Sequence, residues 1–215
     1  MALAPRATRT AGDSAAEHQV LELPIRLSDA ALVGAIRGGR TAARKVLFDR
    51  YGGDVERVLY RIMGPDPEIT DLLQDVFVAA LGSIDQLRNP DALRGWLTGI
   101  AVRKGRKCIQ RRQRWRFVQL VAPAELPERE ALLPSAEVSE ALRRTYALLE
   151  KLPADERVAF ALRHIDGMEL TDVAAACEVS LATIKRRLSR AHAAFTALAA
   201  EDPLLCEWLQ PGGEA

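Results

Sequence analysis

Two stretches of this 215-residue chain carry cations and no acid. Arg94 to Arg116 contains nine bases, and Val179 to Ala200 contains four: Lys185, Arg186, Arg187 and Arg190. Between Asp54 and Asp91 the sign reverses, with eight acids against three bases and a local balance of −5. On a chain whose formal net charge is only +1, such segregation implies two cationic surfaces and one anionic one. The total excludes a bulk polycation. The chemistry open to acid-free Arg and Lys runs is neutralisation of a polyanion, with counterion release and an affinity that falls steeply with salt. A single run is equally well explained as a solvated helix face, whereas two runs, one in each half, favour nucleic acid. In the first run Arg103, Arg106, Lys107 and Arg111 recur at steps of three or four and share one helix side. Trp96, Trp115 and Phe117 offer faces on which unpaired bases stack, worth about 1–3 kcal/mol per base, although Trp96 beside Leu97 reads first as core.

The second run sits in a helix-turn-helix layout. Leu170, Val173 and Ala174 precede a tight connection at Glu178-Val179-Ser180, and a longer helix follows. Ser180 is placed as its N-cap. Ile184, Leu188, Ala191, Phe195 and Leu198 form the inner stripe, which leaves Ala182, Lys185, Arg186 and Ser189 opposite, flanked by Thr183 and Arg190. Such a helix enters the major groove by its N-terminal half, where Lys or Arg bonded to guanine contributes about 1–3 kcal/mol of base discrimination. An ordinary amphipathic hairpin is the plain alternative; the basic, acid-free outer face favours DNA. At Glu178 the turn either holds a non-Gly residue at positive φ, costing about 1 kcal/mol, or avoids that region.

Other chemistries find no constellation. Cys108, Cys177 and Cys206 form no CxxC pair, and His18, His164 and His192 are equally scattered, so no zinc cage or Cys/His nucleophile is spelled out. No phosphate-binding Gly loop is present, and neither a cofactor nor a metal is expected. The cysteine usage fits a reducing compartment. No apolar run approaches the roughly 20 residues that cross a bilayer. Residues 1 to 27 lack a secretory apolar segment, and Asp13, Glu17 and Glu22 break the acid-poor pattern of a transit peptide, so a disordered arm is expected.

Helices must position these residues. The chain is 48% hydrophobic but only 5% aromatic, and its Ala, Leu and Arg lose little rotamer freedom in a helix, so an all-α fold is expected. Ser28 caps a first helix that Gly38-Gly39 stops; Val46 to Ile62 carry the stripe of a second, up to Gly64-Pro65. Asp66 and Pro67 open a third, whose inner face is Ile69, Leu72, Leu73, Val76, Phe77 and Ala80 and whose outer face is Asp71, Gln74, Asp75 and Val78. A loop from Asp85 to Asp91 leads to a fourth helix, from near Ala92 to Arg112. Pro123, Pro127 and Pro134 then mark a linker over 113–136. Residues 137–200 form a second helical domain, after one at 28–112, each near the lower size limit for its own core. A tail occupies 201–215.

Taken together, the two halves resemble the extracytoplasmic-function class of sigma factors in the sigma-70 family, over about residues 29 to 200. Asp71-Leu72-Leu73-Gln74-Asp75-Val76-Phe77 is similar to the region 2.2 signature, and Trp96-Leu97 with Ile100-Ala101 to that of regions 2.3 and 2.4. Leu152-Pro153, Asp166-Gly167 and Ser180 to Leu188 with Arg190-Ala191 resemble region 4. The resemblance implies a non-catalytic, cytoplasmic promoter-specificity subunit. Its partners would be core RNA polymerase, through the β′ clamp coiled coil and the β subunit, promoter DNA, and an anti-sigma factor. It assigns Asp71, Gln74, Asp75 and Val78 to the polymerase, and Arg88, Asn89, Trp96, Arg103, Arg106, Lys107 and Arg111 to the minus-10 element. Ser180, Thr183, Lys185, Arg186, Ser189 and Arg190 fall to the minus-35 element. Arg103 stands where the family usually has Asn, and Lys107 where Asp or Asn is frequent; both add charge to the DNA-facing helix. The alternatives are a free-standing helix-turn-helix regulator, which gives the Asp71-Gln74-Asp75 face no task, and a sigma-like adaptor without promoter recognition.

Overall fold

The computed structural model describes residues 27–118 and 136–209, with side chains for 27–115 and 140–206. Among the described residues every regular element is helical. Helix α1, Asp29–Arg37, starts as expected at Ser28, whose Oγ accepts from the Ala31 amide at 3.2 Å. Helix α2, Thr41–Met63, turns Leu47, Val55, Leu59 and Ile62 into the core. Helix α3, Ile69–Ser83, begins three residues after Asp66, because Asp66 Oδ1 accepts from the Glu68 amide at 2.9 Å and closes a turn there.

The expected fourth helix is α4, Leu93–Val118, entered through a 3-10 turn over Pro90–Ala92. It runs six residues past Arg112, into the segment expected to be linker. Two tertiary ties hold this extension: Arg112 grips Asp66, and Gln113 Nε2 donates to the Leu152 carbonyl at 2.8 Å. Residues 119–135 of the expected linker, and 1–26 of the expected arm, lie outside the described residues.

In the second half, α5 (Ala136–Leu149), α6 (Ala154–Phe160), α7 (Leu170–Ala176) and α8 (Leu181–Ala200) follow in the expected order. Helix α6 widens into a π turn over Ala161–Ile165. The expected tail contains a further helix, α9, Pro203–Leu209. Asp202 caps it, accepting from the Leu204 and Leu205 amides at 3.0 and 3.1 Å while Arg144 donates to the same carboxylate. Leu205 is buried with Ala141, Leu148 and Ala199, so the tail covers an apolar strip between α5 and α8.

The halves do not keep separate cores. One cluster joins Leu59, Ile62, Leu97 and Ile100 to Val158, Leu162, Val173 and Ile184. Helix α4 lies at its centre, packed by α2 and α3 on one side and by α6 and α7 on the other. Each half alone is near the size at which a core becomes marginal, so sharing one buries apolar surface that neither covers by itself.

Candidate nucleic-acid interface

Helix α8 presents its predicted reading face to solvent. Lys185, Arg186, Ser189 and Arg190 are exposed, while Ile184 and Ala191 are fully buried beneath them. Ser180 and Thr183 have local duties: Ser180 Oγ accepts from the Thr183 amide at 3.2 Å and lies 2.9 Å from the Thr183 hydroxyl. Arg190 is tethered to the side, its Nε donating to Glu156 of α6 at 2.7 Å. The turn before α8 resolves the question posed by Glu178, which adopts φ 55. The Glu178 amide donates to the Ala175 carbonyl and the Val179 amide to the Ala174 carbonyl, satisfying the end of α7 in a Schellman arrangement that usually selects Gly.

The loop predicted to meet the minus-10 element is fixed from behind. Arg37 donates to the Ile84 and Leu87 carbonyls at 3.0 and 2.6 Å, and Leu87 is buried. Arg88 and Asn89 are exposed, and Asn89 Oδ1 accepts from the Asp91 amide, which starts the turn into α4. Trp96 is half-buried against the core, as its position beside Leu97 suggested.

The cations of α4 divide over two flanks. Arg103 pairs with Glu178, and Arg106 Nε lies 2.6 Å from Asp155 Oδ1, both partners belonging to the second half of the chain. The Arg106–Asp155 contact is off the hydrogen-bond direction, and those two atoms are buried with no other partner among the described residues. On the other flank Lys104 lies 3.4 Å from Asp75, and Arg111 donates to Glu68 at 2.5 Å. Lys107 is exposed between them. Lys104, Lys107, Arg111, Arg114 and Trp115 line an open cavity of about 350 Å³ floored by Leu72 and Cys108.

Beneath this flank lies a charged cluster. Arg112 reaches Asp66 and Glu68, and its hydrogen bond to the nearly buried Asp66 drives its pKa further above the ordinary arginine range. Burial works to raise the Glu68 pKa, but hydrogen bonds from Cys108 and Arg112 and the charges of Arg112 and Arg111 hold it below the usual carboxylate range. Burial, with Glu68 as acceptor, pushes the Cys108 thiol up to about 11, so it acts as a donor and not as a nucleophile.

Asp71, Gln74, Asp75 and Val78 form one exposed stripe on α3, with Val78 68% exposed although Leu72, Val76 and Phe77 beside it are buried. An aliphatic side chain this exposed among acids suits a partner protein.

Several residues that organise these surfaces carry no mark in the sequence. Arg157, 4% exposed, donates from Nε to the Ile62 carbonyl at 3.0 Å and from its terminal nitrogen to that of Met63 at 2.7 Å. Tyr146 Oη lies 3.3 and 3.2 Å from the Tyr60 and Arg61 carbonyls. Asp155 also takes Arg187 of α8 at 2.7 Å, so one carboxylate holds an arginine from each basic helix. Their partners lie dozens of residues away or are backbone atoms, and only the local order Asp155-Glu156-Arg157 at a helix start is visible in the chain.

Among the described residues, no helix is long and apolar enough to cross a membrane, and no group of His, Cys, Asp or Glu is arranged to hold a metal. Comparison with known proteins matches residues 47–116 to the sigma-70 region 2 family and residues 142–194 to sigma-70 region 4. The ECF RNA polymerase sigma-E factor of Escherichia coli K12 is 28% identical over 182 residues, covering 79% of this chain and 93% of that protein. Its counterpart in Haemophilus influenzae is 29% identical over 181 residues, covering 78% and 93%. A solved structure of CnrH in complex with the cytosolic domain of CnrY is similar at TM-score 0.56 and 26% identity, over 82% of this chain and 99% of that one. The sigma factor RpoE in complex with the anti-sigma factor NepR from Bartonella quintana gives 0.54 and 25%, over 74% and 97%. The two matched regions span more than half of the residues, in the order and over the helices that carry the cationic faces and the acidic stripe, and the chain belongs to the sigma-70 family of RNA polymerase sigma factors, in its extracytoplasmic-function class.

Proposed function

We propose that this chain is a promoter-specificity subunit: it binds core RNA polymerase and directs initiation by engaging minus-35 and minus-10 elements. The observation that carries this reading is the coexistence of two matched regions, each with its own exposed chemistry. A free-standing regulator would need only residues 142–194 and would leave the acidic, Val78-tipped stripe of α3 without a partner. In this reading Asp71, Gln74, Asp75 and Val78 meet the β′ clamp coiled coil. Lys185, Arg186, Ser189 and Arg190 read the minus-35 duplex, with Ser180 and Thr183 fixing the start of that helix. Arg103, Arg106, Lys107 and Arg111 hold minus-10 phosphates, while Arg88, Asn89 and Trp96 border the position of a base flipped from its stack. Flipping is cheaper once the duplex has begun to open. Residues 28–112 and 137–200 act as the two recognition domains, and the site of action is the cytoplasm, where polymerase and promoter meet. The protein supplies recognition and no bond-making chemistry. A partner that occludes these surfaces, as an anti-sigma factor, fits the exposed stripe.

The test is to mix the full chain with core polymerase and to measure complex formation and run-off transcription from a library of promoter fragments. Stable complex and promoter-dependent transcripts are expected. Asp75→Arg removes the complex, whereas Lys185→Ala keeps it and loses minus-35-dependent transcripts. Absence of a polymerase complex with the wild-type chain would sink the reading, and a complex without promoter-dependent transcripts would turn it into an adaptor.

A further inference from the structure

Helix α6 holds α8 by two consecutive carboxylates. Asp155 and Glu156 lie in the first turn of α6, where negative charge suits the positive end of the helix dipole. They face Arg187 and Arg190, three positions apart and so on one side of α8. Arg187 Nη2 donates to Asp155 Oδ2 at 2.7 Å, and Arg190 Nε donates to Glu156 Oε1 at 2.7 Å. The two pairs differ in what they leave outside. The Arg187 side chain is 13% exposed, whereas that of Arg190 is 66% exposed although its partner Glu156 is only 12% exposed.

The choice of nitrogen matters. A guanidinium carries its N–H donors in a planar fork, and Nε supplies one of them. With Nε taken by Glu156, the edge that includes Nε is closed to another acceptor, and the end-on pair of terminal nitrogens stays open. That pair matches the O6 and N7 acceptors of guanine in the major groove. The carboxylate also repels a phosphate brought to the same guanidinium, which favours a base edge over the backbone. Among the described residues neither Lys185 nor Arg186 has a carboxylate partner, and Arg186 reaches the Thr183 hydroxyl at 3.4 Å. Of these three exposed cations, Arg190 is the one aimed by an acid before DNA arrives.

We infer that Glu156 is a positioning residue for sequence reading: without touching DNA it aims the terminal nitrogens of Arg190 at a guanine edge, and it thereby sets the base preference at one pair of the minus-35 element. This rests on reading α8 as the minus-35 helix. Ordering the arginine in advance removes part of the side-chain entropy cost that an untethered Lys or Arg meets on binding. The gain is one of discrimination and not of overall affinity, because Glu156 adds a negative charge beside the duplex.

The experiment binds the full chain to a pool of duplexes randomised over the length of a minus-35 element and sequences the bound fraction, which gives a base preference at every position. Arg190→Ala identifies the pair that Arg190 reads, as the position where preference collapses. Glu156→Ala should lower preference at that same pair by about five- to tenfold, within the range of a lost bidentate contact, and leave the pairs read by Lys185 and Arg186 unchanged. Binding to a non-cognate duplex should stay level or tighten. Glu156→Gln, which keeps an acceptor oxygen for Nε, should retain most of the preference, and Glu156→Ala/Arg190→Ala should match Arg190→Ala alone. Three results overturn the positioning role: full preference in Glu156→Ala, a loss spread evenly over all positions as a mere support of α8 would give, or equal losses in the Ala and Gln variants as charge alone would give. Each of them leaves the minus-35 reading standing. A wild-type chain without base preference, or an Arg190→Ala variant that keeps it at every position, removes that reading and the inference with it.

Discussion

Helices α4 and α8 look alike as sequence, each a basic run without an acid, and the structure uses them in opposite ways. Helix α4 is enclosed: Leu93, Leu97, Ala101, Val102, Cys108 and Ile109 are buried on several sides, and Arg103, Arg106, Lys104 and Arg111 each face a carboxylate from elsewhere in the chain. Helix α8 lies on the surface, buried along one stripe, with Lys185, Arg186 and Ser189 open to solvent. The difference teaches that an acid-free basic run reports where cations are, while tertiary packing decides whether they are available. In the reading proposed above, Lys185 and Arg186 of α8 are open to duplex DNA, whereas most cations of α4 already face carboxylates.

The largest expected effect separates the helices as structure. Leu97→Ala, at 1% exposure, should cost about 2–5 kcal/mol of unfolding free energy, as large-to-small changes in a closed core do. Leu181→Ala, on a residue 38% exposed at the start of α8, should stay within about 0.5 kcal/mol. Urea denaturation of both variants measures this, and similar costs at the two positions would remove the contrast.

Next is the ionic support under α4. Asp66→Asn leaves Arg112 without its two-pronged partner and should cost about 2–3 kcal/mol, in the upper range for hydrogen bonds to charged groups. Asp202→Asn, which weakens a comparable arginine contact and the cap of α9 behind α8, should cost less because the Asp202 side chain is 18% exposed and that of Asp66 only 3%. A thermal melt of the two variants orders them; the reverse order would mean that α8 depends more on ionic support than α4 does.

A third test concerns binding. In duplex titrations Lys185→Ala should weaken binding by about 1–3 kcal/mol, selectively for the cognate minus-35 sequence. Lys107→Ala should weaken binding evenly across sequences and lower the salt slope by about 1, as loss of a phosphate contact does. A sequence-selective loss at Lys107 would assign base reading to α4 as well.

Much of this contrast was legible in the chain. The stripe of α8, the cap at Ser180 and the outward face of α3 follow from spacings of three and four within one helix, and the structure reproduces them. The length of α4 was not legible, because its last turns are stabilised by Gln113 and Arg112 reaching residues 39 and 46 positions away. Nor was the shared core: amphipathic periodicity says which face is buried and not which helix covers it. Helix α9 was missed because its seven residues are too few to display a period, and its burial depends on a strip between α5 and α8. Arg157 shows the limit most plainly, since its hydrogen bonds go to the Ile62 and Met63 carbonyls, and a backbone acceptor leaves no mark in the residue types of the sequence.

The smallest expected effect is a difference in acid response. Near α8, His164 packs against Phe160 at 4.7 Å and faces His192 of α8 at 6.4 Å. Partial burial, His192 and Arg163 hold its pKa below 6.5 in the folded chain. The unfolded state therefore takes up this proton first, so the stability His164 contributes is complete above about pH 6.5 and is lost as pH falls through its folded pKa. Near α4 the depressed group is Glu68, whose contribution is present above the ordinary glutamate value of about 4.5 and is lost only as pH falls through a still lower folded value. The signs agree and the windows differ, so the α8 side should loosen at milder acidity than the α4 side. Amide-exchange protection of α8 and α4, followed from pH 7.5 to pH 4, reads this directly. His164→Asn should abolish the upper step and leave the lower one, whereas simultaneous loosening of both helices in the wild-type chain would mean that the shared core, and not these local groups, governs the acid response.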